Sequence, residues 1–294
     1  MSGKVVLVTG ASRGIGAAVA RRLASEGDKL ALVGLEPEEL RQVAEECGPD
    51  AGWWEADVTD LASLQAAVDA VVERYGRIDV VVANAGIAAP GFTRSMDPAV
   101  FERVLDVDLY GVWRTVRVTL PHLLASKGYL LLVSSLAAVV HIPGLASYTV
   151  AKAGVEAMGN SLRAELRHLG VKVGVAHMTF VDTDMVRGVD EHPVFGKVRT
   201  GIPLANRVYP LDFAVEKFVR GIRRRSRVVH VPGWIGPLKA VRALIPHVVE
   251  FGSRLSVAKA DRAALADIET RGATVSTRAS GAGGQADSAK VAQR

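Results

Sequence analysis

The chain is 294 residues long, 49% hydrophobic and 23% charged, with a formal net charge of +5. That supplies apolar material for a large buried core, while a positive excess gathered near RGIRRRSR (220–227) is too local to make the fold a nucleic-acid surface. Its single cysteine, Cys47, excludes an internal disulfide and a cysteine-built metal cluster.

The chain opens almost at once on VVLV (5–8), without a basic leader, a long apolar stretch or a cleavage site, so no signal peptide is expected. No run reaches the ~18 apolar residues of a membrane span, and a cytoplasmic location is expected. KVVLV (4–8), KLALV (29–33), DVVVA (79–83), YLLLV (129–133) and VKVGVA (171–176) are apolar almost throughout, as strands covered on both faces are. AGWWEADV (51–58) and RVVHVP (227–232) bring the predicted strands to about seven. Between them, residues 14–27, 60–76, 97–128 and 146–170 carry apolar residues at helical spacing and end in or near glycine. This alternation predicts an α/β fold, a Rossmann-like doubly wound parallel sheet with helices on both faces and ligands at the C-terminal strand edge.

Residues 1–235 are read as the dinucleotide-binding and catalytic domain, and 236–270 as a C-terminal helical extension interrupted by Pro246 and Gly252. The small, polar segment 271–294 has almost nothing to bury and is expected to be a disordered tail.

TGASRGIG (9–16) follows the first strand and opens the first helix. Glycines at 10, 14 and 16 let the backbone turn tightly, and the free N–H groups of a helix start attract a pyrophosphate. Gly10, Ser12, Arg13, Gly14, Ile15 and Gly16 are therefore candidate cofactor contacts, although a tight turn without a ligand would use the same glycines. At the end of the second strand, where many dinucleotide folds place an acid on the adenosine ribose, the chain reads Gly34 and Leu35, with Glu36 one step on. Loss of that acid and the presence of Arg13, which could meet a 2′-phosphate, favour NADP over NAD. Glu36 reverses the preference if its carboxylate turns back to the ribose.

SYTVAKAG (147–154) puts Tyr148 four residues before Lys152, on nearly one helix face. A phenol titrates near 10, and an adjacent ammonium favours its phenolate, which suits a general acid/base for an alcohol/ketone pair. Alone, Tyr-x-x-x-Lys is an ordinary helix start. Its context is LLVSSLAA (131–138), which ends a buried strand at the expected ligand edge and places Ser135 thirteen residues before Tyr148.

With these pieces the chain resembles the short-chain dehydrogenase/reductase family, in its compact Rossmann-fold branch, over about residues 3–235. The resemblance rests on TGASRGIG (9–16), ADV (56–58), ANAG (83–86), the second serine of VSS (133–135) and YTVAK (148–152), in that order and spacing. It implies that Tyr148 donates and accepts the proton, that Ser135 orients the reacting oxygen, and that Lys152 lowers the tyrosine pKa and binds the nicotinamide ribose. Asp57 and Val58 would meet the adenine, and Asn84, Ala85 and Gly86 would line the cofactor. Nicotinamide would supply the hydride.

Two departures stand out. Where the family usually has an asparagine after the fourth strand, VLDVDLYGVW (104–113) places Asp108. An ionised aspartate accepts but cannot donate a hydrogen bond; a proton relay through water and a purely structural carboxylate both remain open. After the sixth strand, Met178 and Thr179 replace the usual Pro-Gly, while Val181 and Thr183 stay in register with the positions that contact the carboxamide.

A flap over the substrate is expected from Asp184 to about residue 206, carrying Met185, Val186, Val194, Phe195 and Leu204. With Leu136, Ile142 and Leu145 these predict an apolar pocket for a hydrophobic ketone or secondary alcohol, lipid-, steroid- or polyketide-like. His141 and His192 are read as loop residues, and no metal site is expected. The family resemblance implies a homodimer or homotetramer. The arginine cluster and the apolar residues at 220–260 cap the cleft or an interface, or dock peripherally on an anionic membrane. A non-catalytic regulator or scaffold of the same fold is the rival reading.

Overall fold

The computed structural model describes residues 3–192, 194–196 and 207–292. Seven parallel strands make one sheet in the order β3-β2-β1-β4-β5-β6-β7: β1 (Val5–Thr9), β2 (Lys29–Gly34), β3 (Ala51–Glu55), β4 (Val80–Ala83), β5 (Tyr129–Val133), β6 (Lys172–Met178) and β7 (Val228–Val231). The strand order reverses between β1 and β4, leaving a crevice beyond their C-terminal ends.

The unbroken apolar runs have a simple cause. Alternate residues of each strand serve opposite faces. Leu7, Val81, Leu130 and Leu132 join one buried core; Val6, Val8, Val80, Val82, Leu131 and Val133 join the other. Helices cover both layers: α1 (Gly14–Ser25), α2 (Pro37–Cys47), α3 (Leu61–Tyr75), α4 (Pro98–Leu105), α5 (Gly111–Ser126), α6 (Ala146–Leu166), α7 (Asp184–Asp190) and α8 (Leu211–Arg224).

Three of these helices lie outside the sequence reading: α7, which falls in the expected flap, and α2 and α8. α2 buries only Leu40, Val43 and Ala44 among many charges. α8 buries Ala214, Val215, Phe218, Val219 and Ile222 at helical spacing, and its arginine cluster partly holds the fold together, since Arg223 ion-pairs with Glu26 and Asp28. The helix expected over 97–128 is divided. α4 and α5 are joined by a wide π turn, Asp106–Tyr110, which carries Asp108; such turns shift the side chains that follow and recur at functional sites.

Beyond β7 the extension comprises α9 (Ile235–Ala240), a 3₁₀ turn (Arg242–Leu244) and α10 (Ile245–Arg271). The expected interruptions at Pro246 and Gly252 do not occur. Pro246 occupies the first turn of α10, where no N–H is needed, and Gly252 lies within the helix. Ile235 and Ile245 are buried against Leu136, Val139 and Val140. Underneath, Glu156 of α6 takes Lys239 at 2.8 Å and Arg242 at 2.9 Å. Burial pushes the Glu156 carboxyl up, but hydrogen bonds from His177 and Lys239 outweigh it and hold the group at about 2. The outer ridge of the extension, Val241, Leu244, Val248 and Phe251, is exposed, Phe251 to 90%. Among the described residues no helix is long and apolar enough to cross a membrane.

Composition predicts disorder after residue 270, whereas the structure has two further helices there, α11 (Ala273–Ser276) and α12 (Gly281–Ala292). The segment compensates for its small apolar content in other ways. Ala279 is buried in the main core, and Asp287 makes an ion pair with Arg103 of α4.

Candidate active site

One cleft at the C-terminal edge of the sheet gathers most of the predicted residues: Gly10, Ser12, Arg13, Gly14, Ile15, Gly34, Leu35, Asp57, Val58, Asn84, Ala85, Gly86, Asp108, Ser135, Tyr148, Lys152, Val181 and Thr183. Gly16 is close by but packs beneath the loop and is not on the cleft wall. A Cβ there would lie 2.2 Å from the Gly10 carbonyl oxygen, so only glycine fits. Gly10 and Gly14 have φ of +64° and +56°, the left-handed region that glycine enters without strain. Asn84 braces this loop: its side-chain amide donates to the carbonyls of Thr9 and Gly10, each at 3.1 Å. Arg13 precedes α1 in extended conformation and supplies no side-chain acceptor to the helix start. The start of α1 therefore has no capping side chain, which is the condition for its first N–H groups to serve an anion.

At the end of the cleft where the adenosine is expected, Glu36 points toward the glycine loop. It accepts from Ser12 Oγ at 2.7 Å and from both Arg13 Nε, at 3.1 Å, and Arg13 Nη2. Arg13 also lies 3.4 Å from Glu39 and 3.6 Å from Asp184, so one guanidinium faces three carboxylates. Asp57 accepts from the backbone and hydroxyl of Thr59 and lies 3.5 Å from Arg103.

At the chemical end, Lys152 is buried on α6, with Nζ 5.5 Å from the centre of the Tyr148 ring. Its ammonium donates to the Val133 carbonyl at 3.3 Å and makes a direct ion pair with Asp108 Oδ2 at 3.0 Å. Asp108 is 0% exposed, and its other oxygen accepts the Ile87 N–H at 2.7 Å. The site is crowded: a Cβ on Gly86 would lie 3.0 Å from Asp108 Oδ2 and 3.2 Å from Lys152 Nζ. Ser135 Oγ accepts the Ala137 N–H at 3.1 Å.

These charges decide the tyrosine. Burial pushes the Tyr148 phenol above its ordinary range, Lys152 and a hydrogen bond with Ser135 pull it down, and the Asp108 carboxylate pushes it up again. The net direction is upward, so the expected depression by Lys152 is present but outweighed. Lys152 is pulled down by burial yet held high by Asp108 and Tyr148. Asp108 is raised by burial against the attraction of Lys152.

The predicted substrate-side residues Leu136, Ile142, Leu145 and Met185 line the same cleft, with Val186 and Val189 of α7 beside them. Val194 and Phe195 do not. They pack with Ala260 and Ala264 of α10, which draws them off the cleft wall. Leu204 lies outside the described residues. His141 is exposed, and His192 binds the Ser276 carbonyl at 2.9 Å.

Sequence reasoning missed Arg103 as a neighbour of Asp57. It also missed Ser280, Gly283, Gly284, Ala286 and Asp287, which form a further wall of the cleft. No motif signals them, because they arrive from a segment almost 180 residues beyond Arg103.

A family model described as short chain dehydrogenase matches residues 4–193. The chain belongs to the short chain dehydrogenase family. Among its relatives are (-)-trans-carveol dehydrogenase of Rhodococcus erythropolis, 37% identical over 66% of this chain and 77% of that protein, and trans-4-hydroxycyclohexanecarboxylate dehydrogenase of Sinomonas cyclohexanicum, 33% identical over 67% and 79%. A solved 3-ketoacyl-(acyl-carrier-protein) reductase from Brucella melitensis, complexed with NADH, superposes with a TM-score of 0.71 at 28% identity, covering 78% of this chain and 96% of its own. This dehydrogenase is thus an oxidoreductase of CH–OH groups that uses NAD(P). The fit to such a cofactor is visible in the dehydrogenase itself, in the glycine cradle closed by Gly16 and the uncapped start of α1.

Proposed function

We propose that the protein interconverts a hydrophobic, alicyclic secondary alcohol and its ketone, using NAD(H). The observation that carries this reading is the meeting of Ser135, Tyr148 and Lys152 with an apolar wall, Leu136, Ile142, Leu145 and Met185, in the glycine-lined cleft. Apolar lining suits a substrate without charge, and the ring-bearing substrates in the names of two relatives support the alicyclic class.

When bound, the nicotinamide supplies the hydride chemistry. Tyr148 Oη takes the hydroxyl proton as the alcohol is oxidised and returns it as the ketone is reduced. Ser135 Oγ holds the reacting oxygen against that phenol, and Lys152 favours the phenolate electrostatically. The leucine and isoleucine side chains exclude water from the reacting carbon.

The choice of NAD(H) reverses the preference drawn from sequence. Arg13 is engaged by Glu36, and three carboxylates surround it. A 2′-phosphate would meet net negative charge, whereas Glu36 can accept from a ribose hydroxyl. Assembly through α5 and α6 is supported by Trp113 and Val150, exposed large apolar residues on these helices, together with Tyr110 on the adjoining π turn.

A panel of cyclic and linear secondary alcohols with NAD and NADP tests the reading. Absorbance growth at 340 nm is expected for cyclic apolar alcohols with NAD, and turnover confined to charged or linear substrates contradicts it.

Asp108 is proposed as a positioning residue that fixes Lys152 and, through its charge, opposes phenolate formation. Asp108→Asn removes that charge. Since oxidation needs the phenolate, the acid limb of its pH profile is expected to move to lower pH. An unmoved limb means the carboxylate is only structural.

A further inference from the structure

The C-terminal segment lies across the cleft. Ser280 N–H donates to the Ala88 carbonyl at 2.7 Å, beyond the end of β4. From there α12 runs along α7. The contact is backbone-close: a Cβ on Gly188 would lie 2.3 Å from Gly281 N. Gly283 faces Arg13, with 3.6 Å between its ideal Cβ position and Arg13 Cδ. One turn later Asp287, only 3% exposed, meets Arg103. Its carboxylate accepts from Arg103 Nε at 3.1 and 3.2 Å and from Nη2 at 2.5 Å. The same guanidinium donates to Thr59 at 2.9 Å and neighbours Asp57. Ser280, Gly283, Gly284, Ala286 and Asp287 therefore share one cavity with the glycine loop and the adenosine end.

We propose that residues 280–292 form a strap over the dinucleotide cleft, latched by Arg103 and Asp287, and that opening of this latch controls cofactor entry and exit. This rests on the reading of the cleft as an NAD(H) site. Three features support it. Glycine and alanine at 281–284 and 286 present backbone, not bulky side chains, to the cleft, so the helix can lie close over a bound molecule. The latch is a multiply bonded, largely buried ion pair, which holds its partners in one geometry. It joins the strap to the strand-end loop that carries Asp57, so leaving the latch disturbs the adenosine wall directly. The segment is also secured upstream, where Ala279 is buried in the main core and Ser276 holds His192. Opening is thereby confined to the part after residue 279.

The test uses the full-length protein and its Asp287→Asn and Asp287→Glu variants, with NADH as the probe. Stopped-flow displacement of bound NADH by excess NAD reads the dissociation rate; hydrogen exchange of the 281–292 amides in the cofactor-free protein reads the latch itself. Asp287→Asn is expected to speed NADH release about tenfold and to speed exchange across α12, with Asp287→Glu close to wild type. Unchanged release and unchanged exchange in Asp287→Asn, with normal NADH binding by the wild type, overturn the strap alone. Failure of the wild type to bind NADH or NADPH overturns the cofactor reading, and the strap with it.

Discussion

Tyr148→Phe is expected to lower kcat about a thousandfold in both directions, with KM for the alcohol changed far less. The Lys152 ammonium lies 5.5 Å from the centre of the Tyr148 ring and favours its phenolate against the opposing effects of burial and Asp108. Its contribution is made in the transition state, where a proton is in flight, so its loss appears in turnover and not in ground-state affinity. Steady-state kinetics with a cyclic alcohol and NAD checks this. Equal losses in kcat and in substrate affinity would point to a collapsed pocket, and retained turnover would end the acid/base assignment. Phenylalanine preserves the ring and its packing, which keeps the measurement about the oxygen atom.

Glu36→Ala is expected to reduce the ratio of kcat/KM for NADH over NADPH about a hundredfold, a few kcal/mol of discrimination. Glu36 now accepts from Ser12 and from Arg13. Without it, the charge facing a 2′-phosphate becomes less negative and Arg13 loses its strongest partner. The guanidinium can then pair with the phosphate, while NADH loses a ribose acceptor. Both changes push the ratio the same way. Paired measurements on one ketone decide it, and a ratio that stays level returns cofactor choice to other residues. Glu39 and Asp184 remain near Arg13, so the switch is expected to be incomplete.

The two halves of the site differ in how far they can be read from the chain. Gly10, Gly14 and Gly16 sit within one βα turn, and Tyr148 and Lys152 within one helical turn, so local geometry alone brings each group together. Asp108 and Lys152 are 44 positions apart and come from different helices; nothing in their spacing announces a 3.0 Å ion pair. Arg13 and Glu36 illustrate the same difficulty. Each is visible as a charge near the expected ribose, but whether they bind a phosphate or one another depends on how the loop after β2 meets the loop after β1. The tail is the strongest case. Composition measures apolar content, and 271–294 has little, but a glycine-rich helix can dock through close backbone contact and a single buried ion pair.

By itself the sequence determined the parallel sheet, through strands apolar on both faces, and the identities of the turn glycines and of the serine, tyrosine and lysine, because period and local spacing express those features directly. The tertiary structure alone decided the electrical state of the site. It set Asp108 against Lys152, Glu36 against Arg13 and Asp287 against Arg103, since the energy of a charge depends on burial and on neighbours that the chain brings in from far away.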